Sequence, residues 1–288
     1  MQKERPASRE QSTWLRSMAG QLYQALIDQK KEEYLADLHV HTIGDRSFDP
    51  QLYASVDTMA QAAMEMGLEI IAPTEHVMGE ICSSTKVFYY LKRRYPELLT
   101  VPGLECAVCF SSTSISTPGQ PTTTSEDHYP HLLVYSANPK VIENLFNLAN
   151  QAYYNRPNRQ EFRDFIKDNP ALIVVAHPLK SGDRAKSSAN PTIINKIALE
   201  IGDQLLGLEL PKNGQQKQEL AREIAARLKI LILTNSDAHQ PDQLGLTNYF
   251  SAHKIKTARE ALNRLQEIKS SQTRHTDIKS VTSTYADC

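Results

Sequence analysis

The sequence predicts an α/β protein in which strands and helices alternate along the chain. About seven short apolar runs are separated, for the most part, by stretches with apolar residues at helical spacing. One run, from Ala171 to Ala176, is continuously apolar, as in a strand buried on both faces. Such alternation is typical of a parallel α/β barrel or a doubly wound sheet. The 288 residues are enough for one or two domains.

The first elements follow from the spacing of their apolar residues. Trp14, Met18 and Leu22 recur at helical intervals, so about 10–33 is predicted to be an amphipathic helix packed on the domain. Residues 34–41 form an apolar run that is predicted to be a strand. A helix through Met59 and Ala63 follows, and the glycine after it favours a helix terminus.

The remaining elements continue this alternation. Strands are predicted at 69–74, 98–101, 104–108, 131–135, 171–176, 207–210 and 230–234. Helices are predicted at 87–95, 139–154, 159–168, 191–205, 214–229 and 256–269. The Ser/Thr/Pro-rich residues 111–130 are predicted to be a loop, either a mobile flap that restricts substrate entry or a surface insertion without a role.

The domain organisation is therefore predicted to be simple. Residues 1–33 form an N-terminal helix packed on the domain, residues 34–269 form the domain itself, and the Ser/Thr-rich residues 270–288 are a loose tail.

Composition excludes several classes of protein. Apolar residues make up 40% and charged residues 23%, which is ordinary for a soluble globular protein. A net charge of −1 gives no broad nucleic-acid surface, and no apolar run reaches the roughly 18 residues of a membrane span. Four cysteines in this length make no disulfide framework, so a cytoplasmic setting is expected. Cys106 and Cys109 are three apart on a predicted strand and face opposite sides, which disfavours a zinc site there.

Histidines gather at the ends of predicted strands. His39 and His41 alternate along one strand and therefore point to the same face. Five of the nine histidines lie at or just past the C-terminal ends of strands: His39, His41, His76, His177 and His239. In barrels of parallel strands that rim carries the chemistry. His131 is the exception, because it begins a strand. With the carboxylates of Glu105 and Asp237, these residues predict a metal site.

The motifs that carry these residues resemble those of the polymerase and histidinol phosphatase (PHP) superfamily. His39-Val-His41 is similar to its first motif, and Thr74-Glu75-His76 to its Thr-Asp-His motif. Gly103-Leu-Glu105 resembles its Gly-x-Glu motif, and His131 its mid-chain histidine. Ala176-His177-Pro178 and Ser236-Asp237-Ala238-His239 are similar to its last two motifs.

This resemblance implies a distorted seven-stranded (β/α)7 barrel that holds two or three divalent ions, usually zinc, manganese or iron. By that likeness one ion would be held by His39, His41, Glu105 and Asp237. Glu105 would bridge to a second ion held also by His131 and His177. His76 and His239 would belong to a third.

Two positions depart from the family pattern. Glu75 stands where the family has Asp, and Arg46 and Ser47 stand where it has a further ligand. Asp45 and Asp49 flank those places, and Asp45 is the favoured replacement.

The sequence therefore indicates a metal-dependent phosphoesterase, either a phosphatase or a phosphodiesterase, that uses a metal-activated water. Its expected catalytic residues are Glu105, Asp237 and His239, and its expected substrate is a phosphorylated small molecule or a nucleotide. Three cations are expected at the substrate phosphate: Arg46, Lys180 and Arg184. The alternatives are an amidohydrolase-type metal hydrolase and a non-catalytic metal-binding module. The oligomeric state stays open.

Overall fold

The computed structural model describes residues 32–43, 52–110, 128–152, 156–180, 188–244, 248–252 and 255–272. Within these residues the chain forms two mixed sheets and seven α-helices. None of the described helices is long and apolar enough to cross a membrane. The predicted helix at about 10–33 lies outside the described residues except for Glu32 and Glu33, which belong to a strand instead.

The first sheet has four strands in the order β3-β2-β1-β9. They are β1 (Glu32–Val40), β2 (Ile70–Pro73), β3 (Leu99–Thr100) and β9 (Asn248–Ala252). The first three are parallel, whereas β9 runs antiparallel to β1. Because β1 lies between β2 and β9, its backbone is hydrogen-bonded on both sides, which fixes the direction of its side chains.

The second sheet has five strands in the order β4-β5-β6-β7-β8. They are β4 (Gly103–Ala107), β5 (His131–Tyr135), β6 (Leu172–Val175), β7 (Leu205–Glu209) and β8 (Leu231–Leu233). β6, β7 and β8 are parallel, but β5 is antiparallel to both β4 and β6. The prediction of a parallel arrangement is wrong at β5. β9 lies where the sequence predicts a loop or a short strand, at 244–250.

The two sheets approach each other where their strands end. Isolated parallel bridges pair Val40 with Ala238 and His76 with Glu105. The backbone N–H of His41 donates to the carbonyl of Ala238 at 2.8 Å. In the described part of the chain these contacts do not make a closed barrel, so the predicted seven-stranded barrel reduces to two sheets joined at one end.

Seven helices surround the sheets in the described residues: α1 (Tyr53–Glu65), α2 (Ser83–Arg94), α3 (Pro139–Gln151), α4 (Arg159–Asp168), α5 (Pro191–Ile201), α6 (Gln215–Leu228) and α7 (Ala258–Gln272). Three of them begin at an asparagine whose side chain accepts a backbone N–H of the first turn, namely Asn138, Asn158 and Asn190. α2 begins four residues before its predicted start. α7 extends to Gln272, so residues 270–272 belong to a helix and not to the predicted tail.

The buried apolar side chains fill the space between helices and sheets in three clusters. β6 is buried along its whole length, as its continuous apolar run predicted. Gly207 in β7 lies against β8, where an added Cβ would be 2.5 Å from the carbonyl oxygen of Leu231. This close approach draws β7 and β8 together and places the end of β7 at the rim where the histidines lie.

Candidate metal centre

His39 and His41 form the floor of the site. Both side chains are fully buried, and they extend from the same face of β1 because they are two residues apart. Their Nε2 atoms lie 3.0 Å from each other. The two rings therefore direct a nitrogen at the same point in space, as the sequence predicted.

Glu105 lies at the centre of the cluster, and one of its oxygens faces the first group of imidazoles. Its Oε2 atom is 3.1 Å from Nε2 of His39 and 3.0 Å from Nε2 of His41. Nδ1 of His76 lies 3.3 Å from the same oxygen. The backbone of Glu105 pairs with that of His76, so the contact follows from the bridge between the two sheets.

The other oxygen of Glu105 faces a separate group. Its Oε1 atom accepts from Nδ1 of His131 at 2.6 Å and lies 3.0 Å from Nε2 of His177. A carboxylate whose two oxygens meet different sets of ligands has the arrangement expected of a bridge between two ions.

The antiparallel direction of β5 explains the position of His131. Its partner in the ladder is Ala107, the last residue of β4. The N-terminal end of β5 therefore lies beside the C-terminal ends of β4 and β6. His131 is the first residue of its strand and still reaches the rim that the other histidines occupy.

Asp237 and His239 complete the cluster from the segment after β8. Oδ1 of Asp237 is 3.3 Å from Nε2 of His39 and 3.4 Å from Nε2 of His41. The rings of His41 and His239 stack with centroids 4.3 Å apart, and those of His41 and His76 with centroids 4.4 Å apart.

The backbone is strained at two of these residues. His177 has a φ of 28° and Asp237 a φ of 49°, and residues other than glycine seldom adopt a positive φ. Strain of this kind costs free energy and concentrates at functional sites. Both residues follow the last residue of a strand by only a few positions, so the turn that brings each side chain into the cluster also carries the strain.

Three groups of side chains in the described residues have ligand atoms within 4.8 Å of one another. They are His39, His41, Glu105 and Asp237; His76, Glu105 and His131; and His41, His76 and His239. The first equals the set that the family resemblance implies. The second has His76 in the place expected for His177, although His177 also contacts Glu105. The third adds His41 to the expected pair, and the predicted ligand Asp45 lies outside the described residues.

The cluster suits divalent cations better than protons. Five imidazole nitrogens approach Glu105, whose carboxylate has about four lone-pair positions to accept hydrogen bonds. The Nδ1 atoms of His41 and His177 are buried, and neither has a hydrogen-bond partner among the described residues. Imidazole and carboxylate donors of this kind are the usual ligands of zinc, manganese and iron. The residues present therefore fit a site for divalent metal ions.

Charge coupling shifts the pKa values in the cluster. Burial alone would lower the pKa of His41, but hydrogen bonds to Asp237 and Glu105 outweigh it and raise that pKa to about 9. Burial alone would raise the pKa of Glu105, yet His39, His131 and His177 hold it well below its ordinary value. The pKa of Asp237 is lowered, against the effect of burial, by His41 and His39. Both carboxylates are therefore ionised and ready to bind cations.

A second layer of polar groups, which sequence reasoning missed, supports the ligands. Glu209 ends β7, and its Oε1 atom is 2.8 Å from Nδ1 of His39. Asn235 donates to the same oxygen at 2.9 Å. A sequence feature that points to Glu209 was present, because Gly207-Leu-Glu209 repeats the tripeptide Gly103-Leu-Glu105 on another buried strand.

Glu75, which replaces the family's aspartate, is also buried in this second layer. Its Oε1 atom accepts from the backbone N–H of Thr42 at 2.8 Å and from the hydroxyl of Thr42 at 2.7 Å. Its Oε2 atom lies 4.0 Å from Nδ1 of His41, too far for a hydrogen bond. The side chain of Glu75 therefore anchors the turn after β1, and its backbone carbonyl accepts the N–H of Glu105 at 3.3 Å.

The predicted phosphate-binding cations are only partly described. Arg46 and Arg184 lie outside the described residues. The backbone N–H of Lys180 donates to the hydroxyl of Ser188 at 2.8 Å, which holds the segment after His177 in place. Lys212 was not predicted. Its Nζ atom donates to the carbonyl of Ser236 and lies 4.0 Å from Oδ2 of Asp237, with 46% of the side chain exposed.

Comparison with known proteins gives matches among solved structures alone. No protein-family model matches the chain, and no curated protein matches its sequence. The fold is similar to a protein assigned as a metal-dependent phosphoesterase from Bifidobacterium adolescentis, with a TM-score of 0.53 and 17% identity over 80% of this chain and 96% of that one.

Two further solved structures are similar over most of this chain. PsfC from Pseudomonas syringae has a TM-score of 0.54 and 14% identity over 84% of this chain and 98% of its own. The lesion-specific endonuclease EndoQ from Pyrococcus furiosus has a TM-score of 0.55 and 16% identity over 83% of this chain, which spans 56% of that endonuclease. These likenesses confirm the resemblance at the level of the fold: the chain has a fold of the PHP type.

Proposed function

We propose that this protein is a metal-dependent phosphoesterase that hydrolyses a phosphate ester with two or three divalent ions. The observation that carries the proposal is the position of Glu105, whose two oxygens meet two different sets of imidazoles. Structures of similar fold include a protein assigned as a metal-dependent phosphoesterase and an endonuclease, which supports the same class of reaction.

Each ion has a set of residues that would hold it. His39, His41, Glu105 and Asp237 would hold the first. Glu105 and His131 would hold the second, together with His177 or His76. The third would take His41, His76 and His239, with Asp45 as the proposed further ligand. When bound, such ions supply Lewis-acid polarisation of the ester and a lowered pKa for water. Zinc, manganese and iron all suit these ligands.

The chain's own residues prepare the mouth of the site for an anionic substrate. His239 donates from Nδ1 to the carbonyl oxygen of Asp237 at 3.0 Å, and its ring stacks on that of His41. Lys212 adds a positive charge beside Asp237. We propose that Lys212 contacts the substrate phosphate, together with Lys180, Arg46 and Arg184. A phosphorylated small molecule or a nucleotide is the proposed substrate.

The chemistry of the cysteines supports a reducing compartment, and we propose the cytoplasm. Cys82 and Cys106 are buried, and neither is in a disulfide in the described part of the chain. Free buried thiols are usual in proteins that the cytosol keeps reduced.

The test is a panel of phosphate monoesters and diesters assayed with added manganese, zinc or iron, for the wild type and Glu105→Gln. The substitution keeps the size of the side chain but removes the charge that faces both sets of imidazoles. We expect turnover to fall at least about a hundredfold, since a bridging ligand is lost. Elemental analysis should find at least two ions per wild-type chain and fewer in the variant.

The control is Glu97→Gln, which changes an exposed glutamate in the turn before β3 and should leave turnover and metal content unchanged. A wild type that binds its ions but cleaves no phosphate ester would overturn the proposal. Cleavage of amides or lactones in that case would indicate an amidohydrolase-type enzyme. No cleavage of any ester or amide would indicate a non-catalytic metal-binding module.

A further inference from the structure

Glu209 is a buried carboxylate that contacts the metal cluster from behind. It is the last residue of β7 and is 4% exposed. It belongs to none of the three ligand groups in the described residues. Its Oε1 atom lies 2.8 Å from Nδ1 of His39, and its Oε2 atom accepts the backbone N–H of His177 at 2.6 Å.

The contact with His39 determines which nitrogen of the ring carries the proton. The other nitrogen, Nε2, faces Oε2 of Glu105 at 3.1 Å and Oδ1 of Asp237 at 3.3 Å. A neutral imidazole has one donor and one acceptor nitrogen, and an ionised carboxylate only accepts. Carboxylates face both nitrogens, so with an ion bound on the Nε2 side the one remaining proton would be on Nδ1, where Glu209 is its acceptor.

The same carboxylate also fixes two other segments that carry ligands. It accepts the N–H of His177, whose backbone is in the strained left-handed region. It also accepts a hydrogen bond from Nδ2 of Asn235, which is two residues before Asp237. Oδ1 of Asn235 in turn accepts the backbone N–H of Leu38 at 3.2 Å. One side chain thus connects the segments that follow β6 and β8 to β1.

We propose that Glu209 is a positioning residue for the metal centre, which sets the tautomer and orientation of His39 and the position of His177. This inference rests on the proposed metal-dependent function, and its ligand is a divalent transition-metal ion. Loss of a carboxylate that is hydrogen-bonded to a ligating histidine typically lowers metal affinity by about 10–100-fold.

Asp37 provides a matched comparison. It is also fully buried and lies two residues before His39, but its carboxylate accepts from the backbone N–H groups of His39 and Ser236, each at 3.2 Å, and from the side chain of Ser236. In the described part of the chain it makes no hydrogen bond to the ring of His39. A general need for negative charge near the cluster would apply to both residues. A need for an acceptor at the ring of His39 applies to Glu209 alone.

The experiment is a competition titration with Zn²⁺ on the full chain, for the wild type, Glu209→Gln and Asp37→Asn. Gln retains one acceptor oxygen but loses the charge and directs an amide NH₂ at either His39 or His177. We expect Glu209→Gln to lose roughly 10–100-fold in zinc affinity. Asp37→Asn should keep nearly the wild-type affinity. Equal binding by the wild type and Glu209→Gln, or an equal loss in both variants, would overturn the inference.

A second measurement needs no variant and so does not depend on the folding of Glu209→Gln. Long-range proton–nitrogen correlation spectra of the zinc-loaded wild type report which nitrogen of each histidine carries a proton. We expect His39 to be protonated on Nδ1, and a proton on Nε2 would refute the inference. Absence of zinc binding by the wild type would remove the proposed function along with it, whereas binding with the other tautomer removes only the role of Glu209.

Discussion

Lys212 shows how a single charge at the mouth of the cluster governs what can approach it. Its Nζ atom is held by the carbonyl of Ser236 and lies near Asp237. An ammonium group has three protons to donate, so the Nζ atom can bind a phosphate and keep its contact with Ser236.

Replacement of Lys212 by methionine should therefore weaken substrate binding without affecting the ions. We expect KM for a phosphate ester to rise about tenfold, since a hydrogen bond to a charged group contributes on the order of 1.5–3 kcal/mol and solvent screens part of it. Steady-state kinetics and elemental analysis on the same preparation measure both effects. Lys167→Met is the control, because Lys167 is exposed near the end of α4, just before β6 begins. An unchanged KM, or a loss of metal, would contradict the assignment.

The imidazoles and carboxylates that the cluster brings together could be predicted from the sequence, but the residues that support them could not. Imidazoles at strand ends are unusual enough that His39, His41 and His177 stand out. Glu209 and Asn235 act through hydrogen bonds to a side chain whose direction depends on the packing of two strands. That direction is known only once β7 is placed beside β8. The repeated Gly-Leu-Glu tripeptide indicated a second inward-facing glutamate but not its partner.

At the scale of elements, strand direction was the property that the sequence did not contain. The apolar run of β5 is the same whether it pairs in parallel or antiparallel, because alternation along a strand is independent of its partner's direction. The antiparallel pairing with β4 and β6 turned His131 from an apparent exception into a member of the cluster. The sequence predicted only a loop or a short strand at 244–250, and its periodicity did not indicate that β9 pairs with β1.

Gly207 links the packing of these strands to the metal centre. An added Cβ would lie 2.5 Å from the carbonyl oxygen of Leu231, so Gly207→Ala must push β7 away from β8. We expect a loss of about 1–3 kcal/mol in the free energy of unfolding, as for other overpacked sites. Because Glu209 is two residues further along β7, metal affinity should fall as well. Thermal unfolding and zinc titration measure the two effects.

Gly214→Ala separates these effects. Gly214 precedes α6 with a φ of 89°, and the nearest atom to an added Cβ is 3.8 Å away in Lys217. The variant should lose about 1 kcal/mol from backbone strain and keep its metal affinity. If both alanine variants bound zinc like the wild type, the connection from strand spacing to the metal centre would be wrong.

For the molecule as a whole, the cluster makes stability depend on pH in the metal-free state. Folding raises the pKa of His41 from 6.5 to about 9, and it also raises the pKa of His39. Between pH 6.5 and pH 9, the folded state therefore keeps protons that the unfolded state has already released. Its stability is fully present below pH 6.5 and is lost as pH rises toward 9.

With a chelator present, the free energy of unfolding should thus fall between pH 6.5 and pH 9, by roughly 3 kcal/mol for His41 alone. Urea titrations at three pH values across this range give the measurement. Saturating zinc or manganese should reverse the trend, since ions compete with protons for the same nitrogens and bind better as pH rises. A metal-free protein that became more stable toward pH 9 would refute the charge coupling described here.

The contacts between β1 and the segment after β8, which include the bridge of Val40 with Ala238, also have a consequence for the order of folding. Leu38 and Asn235 are joined by a hydrogen bond although 197 residues separate them, so this contact closes almost the whole described chain. Contacts this far apart in sequence are entropically costly and slow to form. The site that holds His39 and Asp237 together exists only after that closure. We therefore expect the group of His39, His41, Glu105 and Asp237 to assemble late, because a polypeptide still being synthesised lacks Asp237 until the segment after β8 has been made.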